Sequence, residues 1–263
     1  MIETVLTIAG SDCSGGAGIQ ADIKTITAHK MYAMSAITAL TAQNTTGVYD
    51  IYPVTADFVE LQLDCIFKDI PPDAVKIGMV QNSEIIDIIA KKLKEYNAKN
   101  IVIDPVITST SGSSLLCRQA IETIIKTLLP VANIITPNIA EAEILAQLPV
   151  KNENDMILAA KKISTLTSSP ILIKGGHLKN KADDLLYMDG NYYWYRSEKI
   201  NNPNTHGTGC TLSTAIACNL AKNTSLQQSI ENAKNYITGA LKSGLNIGKS
   251  FGPLNHVYSI NIK

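Results

Sequence analysis

The chain has 263 residues, 23 acidic and 23 basic side chains and 45% hydrophobic residues. That is apolar material for a large core, and a formal net charge of zero with no sustained basic run argues against nucleic acid or an anionic membrane as the main partner. Met1-Ile2-Glu3-Thr4-Val5 is not a basic, apolar leader, and no apolar run approaches the roughly 20 residues a membrane-spanning helix needs.

Five scattered cysteines (Cys13, Cys65, Cys117, Cys210 and Cys218) show no C-x-x-C spacing. They speak against structural zinc or a disulfide framework and for a reducing cytoplasm.

In chain order, Val5 to Ala9 is short, apolar and β-rich, a predicted strand. Gly10 to Gly18 follows as a glycine-rich loop, and Ile19, Ile23 and Ile26 mark a helix. Strand, glycine loop and helix place a ligand-binding turn at the carboxyl end of a strand. The spacing fits neither G-x-G-x-x-G nor a P-loop, which removes two nucleotide sites. Asp22, one turn into the helix, either faces the ligand or is a solvated helix-face carboxylate. Ser35 to Ala42 reads as a buried strand ending at Gln43. The Gln43 amide offers a donor beside an acceptor, the complement of an aminopyrimidine edge, or it sits in water as loop glutamines usually do.

Thr55 caps a predicted helix with Phe58, Leu61, Leu63 and Ile66 on its apolar side. Ala74 to Met79 is the next strand and turn. Lys76 inside it either neutralises phosphate or snorkels to a strand end. Ser83 opens a helix to about Tyr96. Asn100 to Pro105 is a strand ending in Asp104, which serves ligand or metal chemistry or caps a turn. Another helix is expected after Ser113, then a strand over 133–137. Glu141, in the first turn of the helix begun at Asn138, complements the helix dipole or holds magnesium. A helix over about 155–166 and a strand over 170–174 follow. Asp189-Gly190 between two β-rich runs is a hairpin signal. A last helix covers about 226–245 and carries Lys234. The alternation, with one late antiparallel hairpin and no linker or repeat, predicts one α/β domain over 1–263, its mostly parallel sheet covered on both faces.

Asn204 to Thr211 organises the rest. Leu212, Ile216 and Leu220 recur at helical spacing, so a helix starts near Thr208. The glycines at its mouth let a ligand approach the backbone, and its unpartnered N–H groups attract anions. The same field is expected to favour a thiolate at Cys210. Phosphoryl transfer needs such donors and a base near the attacking hydroxyl.

Gly10-Ser11-Asp12-x-Ser14-Gly15-Gly16-Ala17-Gly18-Ile19-Gln20-Ala21-Asp22 resembles the opening of bacterial hydroxymethylpyrimidine kinase, also called phosphomethylpyrimidine kinase. The resemblance continues through Thr41 to Thr45, Lys76 to Met79, Asp104-Pro105-Val106, Thr136-Pro137-Asn138 with Glu141, Lys174-Gly175-Gly176-His177 and His206 to Thr211. It departs at Ile107, where the family usually carries methionine. The resemblance implies a three-layer α/β/α ribokinase-like fold, ATP and magnesium as cofactors, a cytoplasmic enzyme and often a homodimer.

By position, it implies that Gln43 reads the pyrimidine. Asp22 and Gly10 line the same pocket, with Met79 and Val106 as apolar walls. Gly207, Thr208, Gly209 and Cys210 form the anion hole, with Cys210 where many superfamily members carry an aspartate base. Asn138 and Glu141 organise magnesium and phosphates. Asp104, Lys76 and Lys174 face phosphate or metal, with Thr211 and Lys234 on the nucleotide side. The implied reaction phosphorylates 4-amino-5-hydroxymethyl-2-methylpyrimidine and then its monophosphate, in thiamine biosynthesis. Pyridoxal kinase is the rival activity, and a pyrimidine-binding regulator without catalysis is the rival from another class.

Overall fold

The computed structural model describes residues 2–107, 116–176 and 182–260. Nine strands form one sheet: β1 (Thr4–Asp12), β2 (Tyr32–Asn44), β3 (Gly47–Pro53), β4 (Ala74–Ile77), β5 (Ile101–Ile103), β6 (Ile134–Ile135), β7 (Ile171–Ile173), β8 (Asp184–Met188) and β9 (Asn191–Tyr195). Their order across the sheet is β3-β2-β1-β4-β5-β6-β7-β8-β9. The six strands from β2 to β7 in that order run parallel, and β3, β8 and β9 pair antiparallel at the margins.

The helices are α1 (Gly18–Ala28), α2 (Ala56–Asp69), α3 (Ser83–Glu95), α4 (Arg118–Thr123), α5 (Ile139–Ala146), α6 (Glu153–Ile163), α7 (Thr208–Ala221) and α8 (Leu226–Ser243). Strand side chains alternate between the two faces. Leu6, Val75, Ile103 and Ile173 pack into the cluster under α2 to α6, while Val5, Ala74, Val102 and Leu172 pack into the one under α1, α7 and α8. The result is the expected three-layer α/β/α arrangement.

The chain leaves β1 toward β2 on one side and returns to β4 on the other. The strand order therefore reverses at β1, and a crevice opens at the carboxyl ends of β1 and β4. Both ladders that flank it are irregular there. The β1–β2 register slips between Ala9 and Ser11, at Gly10, and the β2–β3 register slips between Ala42 and Gln43. Such bulges re-aim the side chains beside them.

Several expectations change. The first strand runs on through Gly10 to Asp12, because its ladder with β2 continues past the slip. A second hairpin, β2–β3, was not expected; its turn is an Asn44 side-chain turn, with Thr46 N–H donating to Asn44 Oδ1 at 2.9 Å. Thr55 does cap α2, but the buried stripe is Val59, Leu63 and Phe67. Phe58 and Leu61, 57% and 58% exposed, face outward. The helix expected after Ser113 begins at Arg118, and 108–115 lie outside the described residues. The Asp189-Gly190 hairpin is present, with both residues at positive φ (50° and 78°) as a primed turn requires. No helix among the described residues is long and apolar enough to cross a membrane.

Candidate active site

The mouth of α7 faces the carboxyl ends of β5 to β7. Gly207 caps the helix at φ 80°, and a Cβ there would run into the carbonyl oxygen of Gly16. The two glycine-rich stretches, 190 residues apart in the chain to the nearest ten, thus touch backbone to backbone, about as close as packing allows. The first-turn N–H groups of an α-helix have no intrahelical acceptor. Of these, Thr208 N–H donates to Thr205 O at 3.3 Å, and the Thr208 hydroxyl also bonds Thr205 O. A Cβ on Gly209 would lie 3.3 Å from Lys174 Nζ and 3.4 Å from Asp104 Oδ2. An ion pair therefore sits against the helix mouth.

That pair, Lys174 Nζ to Asp104 Oδ1, is 2.6 Å long. Asp104 follows β5 and Lys174 follows β7. Between them, after β6, Asn138 and Glu141 form a capping box: Glu141 N–H donates to Asn138 Oδ1 at 2.9 Å, and Asn138 N–H to Glu141 Oε2 at 2.8 Å. Glu141 Oε1 also accepts from Ile107 N–H at 3.2 Å. Burial raises the Glu141 carboxyl well above the usual range. Lys174 opposes that shift and the Asp104 charge adds to it. Glu141 thus does perform the capping expected of a first-turn acid, and it does so inside a group of two carboxylates and one ammonium.

On the β1–β4 side, Met79 packs on Gly10, where any Cβ would collide with its methyl group, and Thr38 Oγ1 donates to Met79 O at 2.8 Å. Half-buried Val106 sits at φ 42°, a conformation β-branched residues rarely adopt. Such strain concentrates at ligand sites. Asp22 is neither solvated nor an open wall. It is fully buried and takes bonds from Thr7 Oγ1 (2.6 Å), Lys76 Nζ (2.7 Å) and Thr214 Oγ1 (2.7 Å). Lys76, also fully buried, does not snorkel, because its partner lies inside. Burial lowers its affinity for a proton, but the charges of Asp22 and Asp104 and the Asp22 hydrogen bond outweigh that and keep it charged.

Half-buried Cys210 corrects the expected thiolate. Burial pushes its thiol up, Asp22 and Asp104 add to the shift, and Lys76 and the Gly18 N–H only partly offset it. At neutral pH the sulfur therefore carries its proton. Two nucleotide-side residues are enclosed. The Thr211 hydroxyl lies 2.9 Å from Gly207 O and 3.0 Å from His256 Nε2. Lys234 pairs with Asp184 at 2.7 Å, and Asp184 accepts from Gly175 N–H at 2.9 Å, so Lys234 braces the turn after β7. His177 lies outside the described residues.

Asp12 and His206 organise the site although no role was expected of them individually. Asp12 Oδ2 meets His206 Nε2 at 2.9 Å and takes the N–H groups of Gly16 (3.1 Å) and Ala17 (2.9 Å). Burial would raise the Asp12 carboxyl, but bonds from His206 and Ser14 overcome it and bring it to about 2. The local signal was an Asp followed by Ser14-Gly15-Gly16, an Asx-turn composition. The partner 194 residues away had no local signal. A cleft of about 610 Å³ shares Gly16 and His206 with this cradle and is otherwise lined by the β2–β3 turn and the C-terminal segment around Lys249 and Pro253. Cys210, Asp104 and Lys174 are not in its lining.

The family model described as phosphomethylpyrimidine kinase matches residues 12–255. A Haemophilus influenzae protein named hydroxymethylpyrimidine/phosphomethylpyrimidine kinase is 43% identical over 260 residues, covering 97% of each chain. Among solved structures, a Clostridium difficile phosphomethylpyrimidine kinase matches with a TM-score of 0.80 and 45% identity over 90% of this chain and 98% of that one. A Staphylococcus aureus pyridoxal kinase, in complex with AMP-PCP and pyridoxal, matches with a TM-score of 0.91 and 35% identity over 100% and 96%.

Proposed function

The chain belongs to the phosphomethylpyrimidine kinase family, and from that premise we infer how its residues transfer phosphoryl groups from ATP to 4-amino-5-hydroxymethyl-2-methylpyrimidine and then to its monophosphate, in thiamine biosynthesis. The observation that carries the reading is the convergence at Cys210. The N–H of Gly18, which abuts Gly10 O, reaches the sulfur from one side, and the Asp104–Lys174 pair lies against the preceding residue, Gly209, on the other. A hydroxymethyl group in the crevice and a γ-phosphate at the helix mouth then meet beside the thiol.

In the first step the substrate hydroxyl oxygen forms a bond to the γ-phosphorus as the bond to the ADP oxygen breaks. The hydroxyl proton passes to Cys210 Sγ once that sulfur is ionised, or Cys210 positions the oxygen while the proton leaves late, to an oxygen of the transferred phosphoryl group. A loose transition state needs little proton removal early on, which suits a thiol of raised pKa. Lys76 supplies the charge that makes the thiolate reachable. First-turn N–H groups of α7 and the Lys174 ammonium stabilise the charge on the transferring group. Gln43 reads the pyrimidine, Val106 and Met79 pack on its ring, and Asp22 holds Lys76 rather than the substrate.

Magnesium fits the donor set. A hard cation takes one or two carboxylates and completes its shell with water and phosphate oxygens. Asp104 and Glu141 are two such carboxylates, and the burial that raises Glu141 is what a cation beside it would offset. They would hold the ion, which supplies neutralisation of the nucleotide phosphates.

We read 1–263 as one cytoplasmic kinase domain. The homodimer reading is supported by edge strand β3, which carries Tyr49 and Tyr52, 69% and 71% exposed, since an unpaired strand edge is where a second copy can add. Sedimentation at the mass of one chain at micromolar concentration would remove it. The activity is tested by ADP release with ATP and magnesium, offering hydroxymethylpyrimidine, its monophosphate and pyridoxal in parallel. Turnover of both pyrimidines with pyridoxal slow is expected. Turnover of pyridoxal alone, the activity named for the S. aureus structure, would overturn the substrate assignment.

A further inference from the structure

Gln43 is held from two sides. Its backbone N–H and C=O both meet Cys13 Sγ, at 3.3 and 3.1 Å. Its side-chain Nε2 is placed 3.2 Å from His206 Nε2, and its Oε1 is placed 3.1 Å from Thr41 Oγ1.

Hydrogen bonding at the two partners reverses those ends, which an amide exchanges by turning over about its last torsion. His206 Nε2 is 2.9 Å from Asp12 Oδ2. The Asp12 carboxylate already accepts from the N–H groups of Ser14, Gly16 and Ala17 and from the Ser14 hydroxyl. A carboxylate only accepts, so His206 Nε2 carries the hydrogen in either charge state of the ring. A nitrogen that carries a hydrogen has no lone pair for the Gln43 NH2. The Gln43 carbonyl oxygen therefore faces His206 and shares that hydrogen. The other end is compatible. Thr41 has a single hydroxyl proton; with that proton on Ser11 O at 2.9 Å, its oxygen is free to accept from the Gln43 NH2. Both ends fit the same orientation. The imidazole has little room to relax it: a Cβ on Gly16 would collide with the ring, and the backbone N–H of His206 is tied to Gly252 O at 3.1 Å.

We propose that the Asp12–His206 pair determines specificity by fixing the order in which Gln43 presents its acceptor and its donor to the substrate. Both are positioning residues, and the proposal rests on the reading of Gln43 as the pyrimidine contact. A 4-aminopyrimidine edge is an N–H donor beside a ring-nitrogen acceptor. A fixed amide makes both bonds to that edge. The 4-oxo analogue reverses the order, a carbonyl acceptor beside a ring N–H, and meets acceptor with acceptor and donor with donor. A site built around such a pair rejects the mismatched edge strongly, because its own polar groups are left unpaired. With His206 removed, only the Thr41 hydroxyl holds the order, and a hydroxyl can turn its proton from Ser11 O to the amide oxygen, so the amide turns over at smaller cost and serves either edge.

The test compares kcat and KM for hydroxymethylpyrimidine and its 4-oxo analogue in the intact enzyme and in His206→Leu, His206→Gln and Gln43→Ala. The expected result for His206→Leu is a pyrimidine KM raised about tenfold, a much smaller change in kcat, and a preference for the amino over the oxo substrate narrowed about tenfold or more. His206→Gln, whose amide N–H reaches toward Asp12, recovers most of that preference. Loss of kcat on both substrates with the preference intact would overturn the relay, since that is what a merely structural role in the helix mouth gives. If His206→Leu does not fold, Gly16→Ala, which displaces the ring, is read in the same assay, and an unchanged preference there overturns the proposal. Gln43→Ala separates the layers. An unchanged pyrimidine KM in that variant removes Gln43 as the reader and the relay with it. A raised KM there with an unmoved preference in His206→Leu removes the relay alone.

Discussion

At Cys210 two fields oppose each other. The N-terminus of α7 and the buried Lys76 ammonium favour a thiolate, whereas burial and the charges of Asp22 and Asp104 disfavour it and prevail. A residue used as a base in that state works better as pH rises. The first phosphorylation is therefore expected to speed up through and above neutral pH, with the slope carried by this one sulfur. Cys210→Ala should lower kcat by about 100-fold or more, as loss of a general base does, retain pyrimidine affinity by calorimetry, and abolish the alkaline slope. A pH profile that keeps its slope in Cys210→Ala would mean that another group takes the proton. The sequence placed Cys210 at a helix start correctly. It could not weigh the field, because the opposing carboxylates come from α1 and from the end of β5.

At the scale of the elements, the Asp22–Lys76 pair is the pin of the site. Asp22 on α1 meets Thr7 on β1, Lys76 on β4 and Thr214 on α7, so one carboxylate joins four elements with neither charge exposed. Gly78 makes room for it, since a Cβ there would lie 2.8 Å from Lys76 Nζ. Breaking a buried pair from one side strands the other charge, which typically costs about 3–5 kcal/mol. Lys76→Met should lose about that much stability in urea and lose turnover with it, while Asp22→Asn with Lys76→Met together recovers part of the stability. A single variant within about 0.5 kcal/mol of the parent, the usual range for surface changes, would show that the pair is not structural. The strand and helix positions that build this pin were legible from short apolar β-rich runs and helical spacing. That Asp22 and Lys76 point at each other was not, because a charged residue on a helix and one in a strand each have a common solvated reading.

Over the whole molecule, two buried groups set the acid limit. Burial, helped by the nearby Lys24 charge, brings His256 down to about 4, and it sits 3.0 Å from Thr211 Oγ1 under the start of α7. Asp12 is held at about 2. The unfolded chain takes a proton at His256 near pH 6.5, before the folded one does, so stability falls as pH drops from about 6.5 to 4. The depressed Asp12 gives stability that is full above its unfolded value near 3.9 and is lost as pH falls toward 2. Glu141, raised by burial to about 7, runs the other way between there and its unfolded value, so the His256 part is read in urea unfolding as the difference between parent and variant. His256→Gln should remove that part of the upper window, worth up to ~3 kcal/mol, and leave the lower window. An unchanged slope between pH 6.5 and 4 in that variant would show that His256 is not the group that titrates there.

What the sequence determined by itself was local and periodic. Short apolar β-rich runs alternating with helical spacing gave the α/β layers, the glycine-rich runs gave the turns at the strand ends, and Asp189-Gly190 gave the late hairpin. It missed β3, because Val48, Tyr49 and Tyr52 lie on a half-exposed edge where no alternation marks a buried face. It also turned α2 too far, since Phe58 and Leu61 look like core until packing leaves them outside. Only the tertiary structure decided the electrostatics. Burial depth and the polar partners that meet across 54 residues at Lys76 and Asp22, 70 at Lys174 and Asp104, and 194 at His206 and Asp12 are properties of the folded distance. Propensity and hydrophobic period act over a few residues along the chain, whereas desolvation and Coulomb energy depend on who is adjacent in space.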